Sequence, residues 1–94
     1  MAEQKKELEV KITDELLMGR YANFMQVSHS PGEFVLDFAH LVPPKGAVVA
    51  RVFVNPGKLR QIIKALQTNL EKYESKYGPV KDIEEIEGRV GFEP

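Results

Sequence analysis

Residues 33–58 read EFVLDFAHLVPPKGAVVARVFVNPGK, and this stretch decides the fold. Two runs rich in branched and aromatic residues, 33–41 and 47–54, lie on either side of two prolines, which cannot donate to a strand ladder. The spacing predicts two antiparallel strands joined by a turn at residues 43–46. Because Asn55 is a good N-cap and Pro56 suits the first helical position, a helix is expected to begin there.

The expected helix carries apolar residues at spacings of three and four, as far as about residue 77. Gly78 and Pro79 then supply a stop. The apolar residues fall into two rows with a seven-residue repeat, which can pack on a sheet or form a seam with a second helix. Ile62 belongs to the same apolar side of the helix. The two rows, called the apolar stripe below, consist of Leu59, Ile63, Leu66, Leu70, Tyr73 and Tyr77.

Two further strands are expected upstream of residue 33. Leu8, Val10 and Ile12 alternate with charged residues, which is typical of a half-buried strand. Residues 21–28, YANFMQVS, are rich in aromatic and branched side chains, and residues 13–19 between these strands could form a short helix. The predicted fold is therefore α+β: a four-stranded antiparallel meander followed by one long C-terminal helix (β-β-β-β-α), with the helix packed on one sheet face.

The width of this sheet predicts self-association. Four strands span roughly 15–19 Å, whereas one helix is about 10 Å across and covers about half of one face. The third and fourth strands are apolar on both faces, and both faces must then be covered. We therefore expect a homodimer or a higher oligomer. The residues expected in its core or interface are Phe34, Leu36 and Phe38 of the sheet, together with the apolar stripe of the helix.

Composition restricts the class of protein. The chain has 94 residues, a net charge of -1, 43% apolar residues and 29% charged residues, as in an ordinary globular domain. We expect one α+β domain at residues 7–78, an N-terminal tail at 1–6 and an acidic C-terminal tail at 79–94. The absence of cysteine excludes disulfides, thiolate metal sites and cysteine nucleophiles. With no apolar run of about 20 residues and no signal peptide, a cytoplasmic protein without a membrane partner is expected.

Catalytic and metal-binding patterns are poorly developed. Ser28, His29, Ser30 and Asp37 include the residue types of a hydrolytic triad, but no G-x-S-x-G elbow is present, and turn geometry explains a serine beside the proline. His29 and His40 could share a metal across a hairpin, with Glu33 or Asp37 nearby, although the two histidines lack metal-ligand spacing. We therefore expect no enzyme, no cofactor and no metal, and we assign no catalytic residue.

A basic group near the start of the long helix supports an alternative. Lys58, Arg60 and Lys64 follow one another without an intervening acid, and free N–H groups at a helix N-terminus can hold an anion. Together with Arg51 of the preceding strand, these cations could contact a phosphate or nucleic acid. No phosphate-cradling glycine motif is present, and a solvated polar face explains the same residues. Nucleic acid is therefore the less favoured partner.

The chain resembles a family of short bacterial proteins, the domain of unknown function 3467 family. The resemblance covers residues 7–78 and is most specific in V-S-H-S-P, E-F-V-L-D-F and A-L-Q-x-N-L-x-x-Y-E. It implies a compact uncharacterised domain and carries over structural residues only: Pro31, Phe34, Phe38, Leu66 and Tyr73. The predicted layout is also similar to that of SecB-type export chaperones, which hold unfolded chains on apolar grooves. The expected function is that of a non-enzymatic oligomeric binding or scaffolding module for protein partners.

Overall fold

The structure, a computed structural model, describes residues 7–83 and 91–92. The chain divides into two compact units: one holds the described residues up to Pro56, and the other begins at Gly57. The predicted tail at 1–6 and most of the predicted tail at 79–94 lie outside the described residues. In chain order the elements are α1 (Asp14–Leu17), β1 (Phe24–His29), β2 (Phe34–Val42), β3 (Lys45–Val54) and α2 (Pro56–Tyr77).

The first unit contains a three-stranded antiparallel sheet in the order β1-β2-β3. The α+β class, the antiparallel meander and the C-terminal helix are confirmed. The tight β2–β3 connection follows from Pro43 and Pro44, which are joined by a cis peptide bond and cannot donate to the ladder. Gly46 is required by a close approach, because a Cβ there would collide with the side chain of Leu41.

The single chain does not form the fourth strand predicted at Leu8–Ile12. Residues 7–13 are described, yet they adopt neither strand nor helix. Leu8, Val10 and Ile12 are 83%, 87% and 58% exposed. The physical reason is that alternation only sets which face a strand would bury, whereas a strand also needs a partner for its backbone groups. Residues 7–12 are called the N-terminal segment below.

β1 begins three residues later than the sequence predicts, because the side chain of Asn23 forms hydrogen bonds that further strand residues would otherwise form. The Asn23 side-chain amide donates to the carbonyl of Leu41 at 2.8 Å and accepts from the Leu41 N–H at 2.7 Å. The Asn23 N–H donates to the carbonyl of Ala39 at 3.0 Å. The side chain of Asn23 thus satisfies backbone groups that a longer β1 would otherwise pair.

The strand register assigns the side chains to two faces of the sheet. Successive residues alternate between the faces, and pairing places neighbours from the three strands side by side. The apolar face carries Met25, Val27, Phe34, Leu36, Phe38, Ala50, Val52 and Val54. The opposite face, here the ion-pair face, carries Gln26, Ser28, Val35, Asp37, Ala39, Arg51 and Phe53. The buried apolar residues are Leu36 and Val54 of the apolar face and Ala39 of the ion-pair face, so both faces contribute to the core.

Both helices begin and end as their terminal residues dictate. The Thr13 hydroxyl caps α1 by accepting from the Leu16 N–H at 3.3 Å. The 22-residue helix α2 forms the second unit together with the residues after it. It ends at Gly78, whose φ of 94° is left-handed and whose N–H donates to the carbonyl of Glu74 at 2.8 Å. The predicted helix is confirmed in position and length, while its packing on a sheet face stays a prediction.

Candidate functional site

A buried ion pair lies at the centre of the ion-pair face. The Arg51 guanidinium donates from Nε to Oδ1 of Asp37 at 2.6 Å and from Nη2 to Oδ2 at 3.0 Å. Asp37 is only 2% exposed, whereas the side chain of Arg51 is 59% exposed. This two-pronged contact is the strongest geometry between an arginine and a carboxylate. It satisfies both carboxylate oxygens of Asp37 and leaves part of the guanidinium facing solvent.

A β-bulge brings these two residues together. Beyond the turn, Ala39 pairs with Val48, but Phe38 pairs with Ala50, so Val49 is the additional residue in β3. Without this shift, the regular register would place Asp37 opposite Ala50 instead of Arg51. The bulge therefore moves the guanidinium into place opposite the carboxylate.

The ion pair shifts the pKa of Asp37 and that of Arg51. The hydrogen bond from Arg51 lowers the pKa of Asp37 below its ordinary value, an effect that burial opposes and the Arg51 charge reinforces. The same hydrogen bond and the Asp37 charge raise the pKa of Arg51. Both groups are consequently charged at neutral pH. Such a pair fixes strand register and carries no proton that could move near neutrality.

Of the four cations proposed for anion binding, Arg51 belongs to the first unit and the other three belong to the second. Arg51 is engaged with Asp37 on the sheet, and Lys58, Arg60 and Lys64 lie in the first turns of α2, which has no acidic residue in its first turn. Arg60 and Lys64 are four residues apart and share one side of the helix, whereas Lys58 is two residues from Arg60 and points to another side. The helix therefore presents a pair of neighbouring cations and one separate cation.

The structure does not assemble the catalytic and metal sites considered above. His29 pairs with Phe34, and the centroids of their rings are 5.5 Å apart. His40 packs edge-on against Tyr21, with 5.0 Å between the ring centroids. Since His29 pairs with Phe34, six residues before His40 in β2, about 20 Å separates the two histidines, which is too far for them to share a metal. His29 also faces away from Asp37, so these residues form no triad. Among the residues that the structure describes, no cluster of metal-ligating side chains occurs.

Exposed apolar surface is the most extensive feature of both units. On the sheet, Met25, Val27 and Val52 of the apolar face are exposed although Leu36 between them is buried. In α2, no residue is buried, and five members of the apolar stripe are exposed: Ile63, Leu66, Leu70, Tyr73 and Tyr77. Leu59, at the start of the stripe, is half-buried. Apolar patches of this extent mark interaction surfaces more often than chance exposure does.

Comparison with known proteins identifies the family. The model of the family described as protein of unknown function (DUF3467) matches residues 1–82. The chain belongs to this family. The match includes the whole of the resemblance seen in residues 7–78, the N-terminal segment among them, and extends it to residues 1–6 and 79–82. No curated protein and no solved structure matches the chain, so the likeness to SecB-type chaperones stays a prediction.

The search for membrane-spanning helices gave a negative result over the part of the chain that the structure describes. Neither of its two helices combines the length and the apolar composition needed to cross a bilayer.

Proposed function

We propose that this DUF3467 protein is a non-enzymatic, cytoplasmic binding or scaffolding module that associates with itself and with protein partners through apolar surfaces. The observation that carries the proposal is the exposed apolar stripe of α2. A 22-residue helix in water gains most of its stability from packing its apolar side. A second copy of the helix offers a matching seam, because the stripe repeats every seven residues.

The mass in solution tests the self-association. Light scattering over a concentration series should give a dimer or tetramer, a multiple of 10.6 kDa, with a melting temperature that rises with protein concentration. A mass of 10.6 kDa at all micromolar concentrations would contradict the proposal. Partner binding is tested separately: proteins that co-purify with the tagged chain should stay bound when the salt concentration is raised, because apolar contacts are not screened.

The alternative function, binding of anions or nucleic acid, is supported by the absence of acidic residues in the first turn of α2, near Lys58, Arg60 and Lys64. The Asp37–Arg51 pair weakens it, because two of the donor nitrogens of Arg51 already contact Asp37. Salt separates the two functions: nucleic-acid binding through a few phosphate contacts weakens steeply between low and moderate salt. Binding to a generic duplex with this dependence, lost in Arg60→Gln/Lys64→Gln and retained in Lys72→Gln, would support the alternative.

A further inference from the structure

The N-terminal segment, Glu7 to Ile12, has the pattern of a strand but pairs with none of residues 7–83 and 91–92 in the single chain. Its apolar members, Leu8, Val10 and Ile12, all point into solvent, and its charged members, Glu7, Glu9 and Lys11, alternate with them. A segment of this kind buries its apolar side only when it is added to the edge of a sheet.

The outer edge of β3 is suited to receive such a segment. Within the described residues β3 pairs with β2 on one side only, and none of these residues pairs with its other side. Between Ala47 and Val54 it contains one charged residue, Arg51, and no proline. Natural proteins protect exposed edges with lysine, proline or a covering element. An edge this apolar is therefore expected to be covered in the functional protein.

We propose that the N-terminal segment of one copy pairs antiparallel with the β3 edge of a second copy, Leu8 opposite Val52, Glu9 opposite Arg51 and Val10 opposite Ala50. This register places Leu8 and Val10 on the apolar face. On the ion-pair face it places the Glu9 carboxylate beside the exposed part of the Arg51 guanidinium, where donors remain that Asp37 does not use. Because each copy both donates and receives a segment, the exchange closes as a symmetric dimer.

Charge complementarity selects this edge over the edge formed by β1. The residues of β1 on the ion-pair face include Gln26 and Ser28, which carry no charge to attract Glu9. Shifting the antiparallel register by two residues in one direction would place Lys11 opposite Arg51, and like charges directly opposite are destabilising. A shift in the other direction would place Glu7 there instead of Glu9, so the charges exclude the first shift only. This proposal rests on the proposed function, because it names the surface through which the chain associates with itself.

Amide hydrogen exchange followed at two protein concentrations tests the pairing directly. Alternating amides of residues 8–12 should exchange at least about tenfold more slowly in the oligomer than in the diluted monomer. An oligomer in which these amides exchange as freely as in an unfolded chain would overturn the pairing and leave self-association standing. Equal protection in the monomer would also overturn it, because the segment would then pair within its own chain. A monomer at every concentration would overturn both proposals.

Two matched variants test the contribution of the side chains. Val10 and Met18 are each 87% exposed in the single chain, so Val10→Asp and Met18→Asp add the same charge at equally exposed positions. Val10→Asp should raise the dimer dissociation constant at least about tenfold, as the loss of one buried valine contact requires. Met18→Asp should leave it unchanged. Equal dissociation constants for the two variants would overturn the proposal, as would the lack of intermolecular contacts between Leu8 and Val52 methyl groups in an isotope-mixed sample.

Discussion

Asp37 and Arg51 stand opposite each other only because Val49 inserts one additional residue into β3. In the resulting pair, two guanidinium nitrogens of Arg51 donate to the carboxylate of Asp37, which is almost inaccessible to solvent. A buried charge that loses its partner is more costly than the pair itself is favourable. The pair therefore stabilises this register of β2 and β3, because any other register would leave the carboxylate of Asp37 without a cation.

Arg51→Met should lower the free energy of unfolding at neutral pH. In the wild type the pKa of Asp37 is lower in the folded chain than in the unfolded chain, so its stabilising contribution is present above the unfolded value and is lost as the pH falls below about 4. In Arg51→Met the carboxylate is buried without a cation and protonation relieves it. The difference in the free energy of unfolding between the wild type and Arg51→Met should therefore become smaller as the pH falls. Urea unfolding over a pH series measures this difference. Arg60→Met, on the surface of α2, is the control. A difference that stays constant from neutral pH to below about pH 4 would contradict this explanation.

Asn23→Ala should destabilise the start of β1. The variant loses two hydrogen bonds to the backbone of Leu41, which corresponds to about 1–2 kcal/mol of unfolding free energy. Asn69 provides the control, because its side chain also donates to a backbone carbonyl, that of Ala65, within α2. Asn69→Ala should be neutral or stabilising by about 0.5 kcal/mol, since alanine is the better helix former. Equal losses in the two variants would show that the Asn23 contact contributes nothing specific.

Gly78→Ala should destabilise the end of α2 by about 1 kcal/mol, because an alanine at a φ of 94° is strained. Gly32→Ala is the matched control: neither glycine has a neighbouring atom that a Cβ would meet, but Gly32 lies outside the left-handed region. Its effect should stay within about 0.5 kcal/mol. Thermal unfolding followed by the helical circular dichroism signal measures both, and similar values would argue against a role of the left-handed conformation.

The elements with local signals could be predicted from the sequence. Pro43 and Pro44 mark the β2–β3 turn, and the Asn55-Pro56 start and the Gly78 stop define α2. The ion pair could not be predicted, because counting from the turn places Asp37 opposite Ala50 and no local pattern reveals the bulge. The alternation of the N-terminal segment predicts a strand, but it does not indicate which sheet edge, if any, the segment pairs with, and in the single chain it adopts no strand.

The apolar stripe of α2 gives the last prediction. Leu66 is 66% exposed in the single chain, so Leu66→Asp should cost the isolated monomer little stability. If the stripe lies in an interface between copies, the same substitution buries a charge there and should dissociate the oligomer. Gln67→Asp is the matched control, since the next residue along a helix points away from the stripe. Light scattering should give 10.6 kDa for Leu66→Asp and the wild-type mass for Gln67→Asp. An unchanged mass together with an unchanged melting curve for Leu66→Asp would remove the stripe from the interface. Because Val10→Asp acts on the β3 edge, the two variants separate a helix seam from strand exchange.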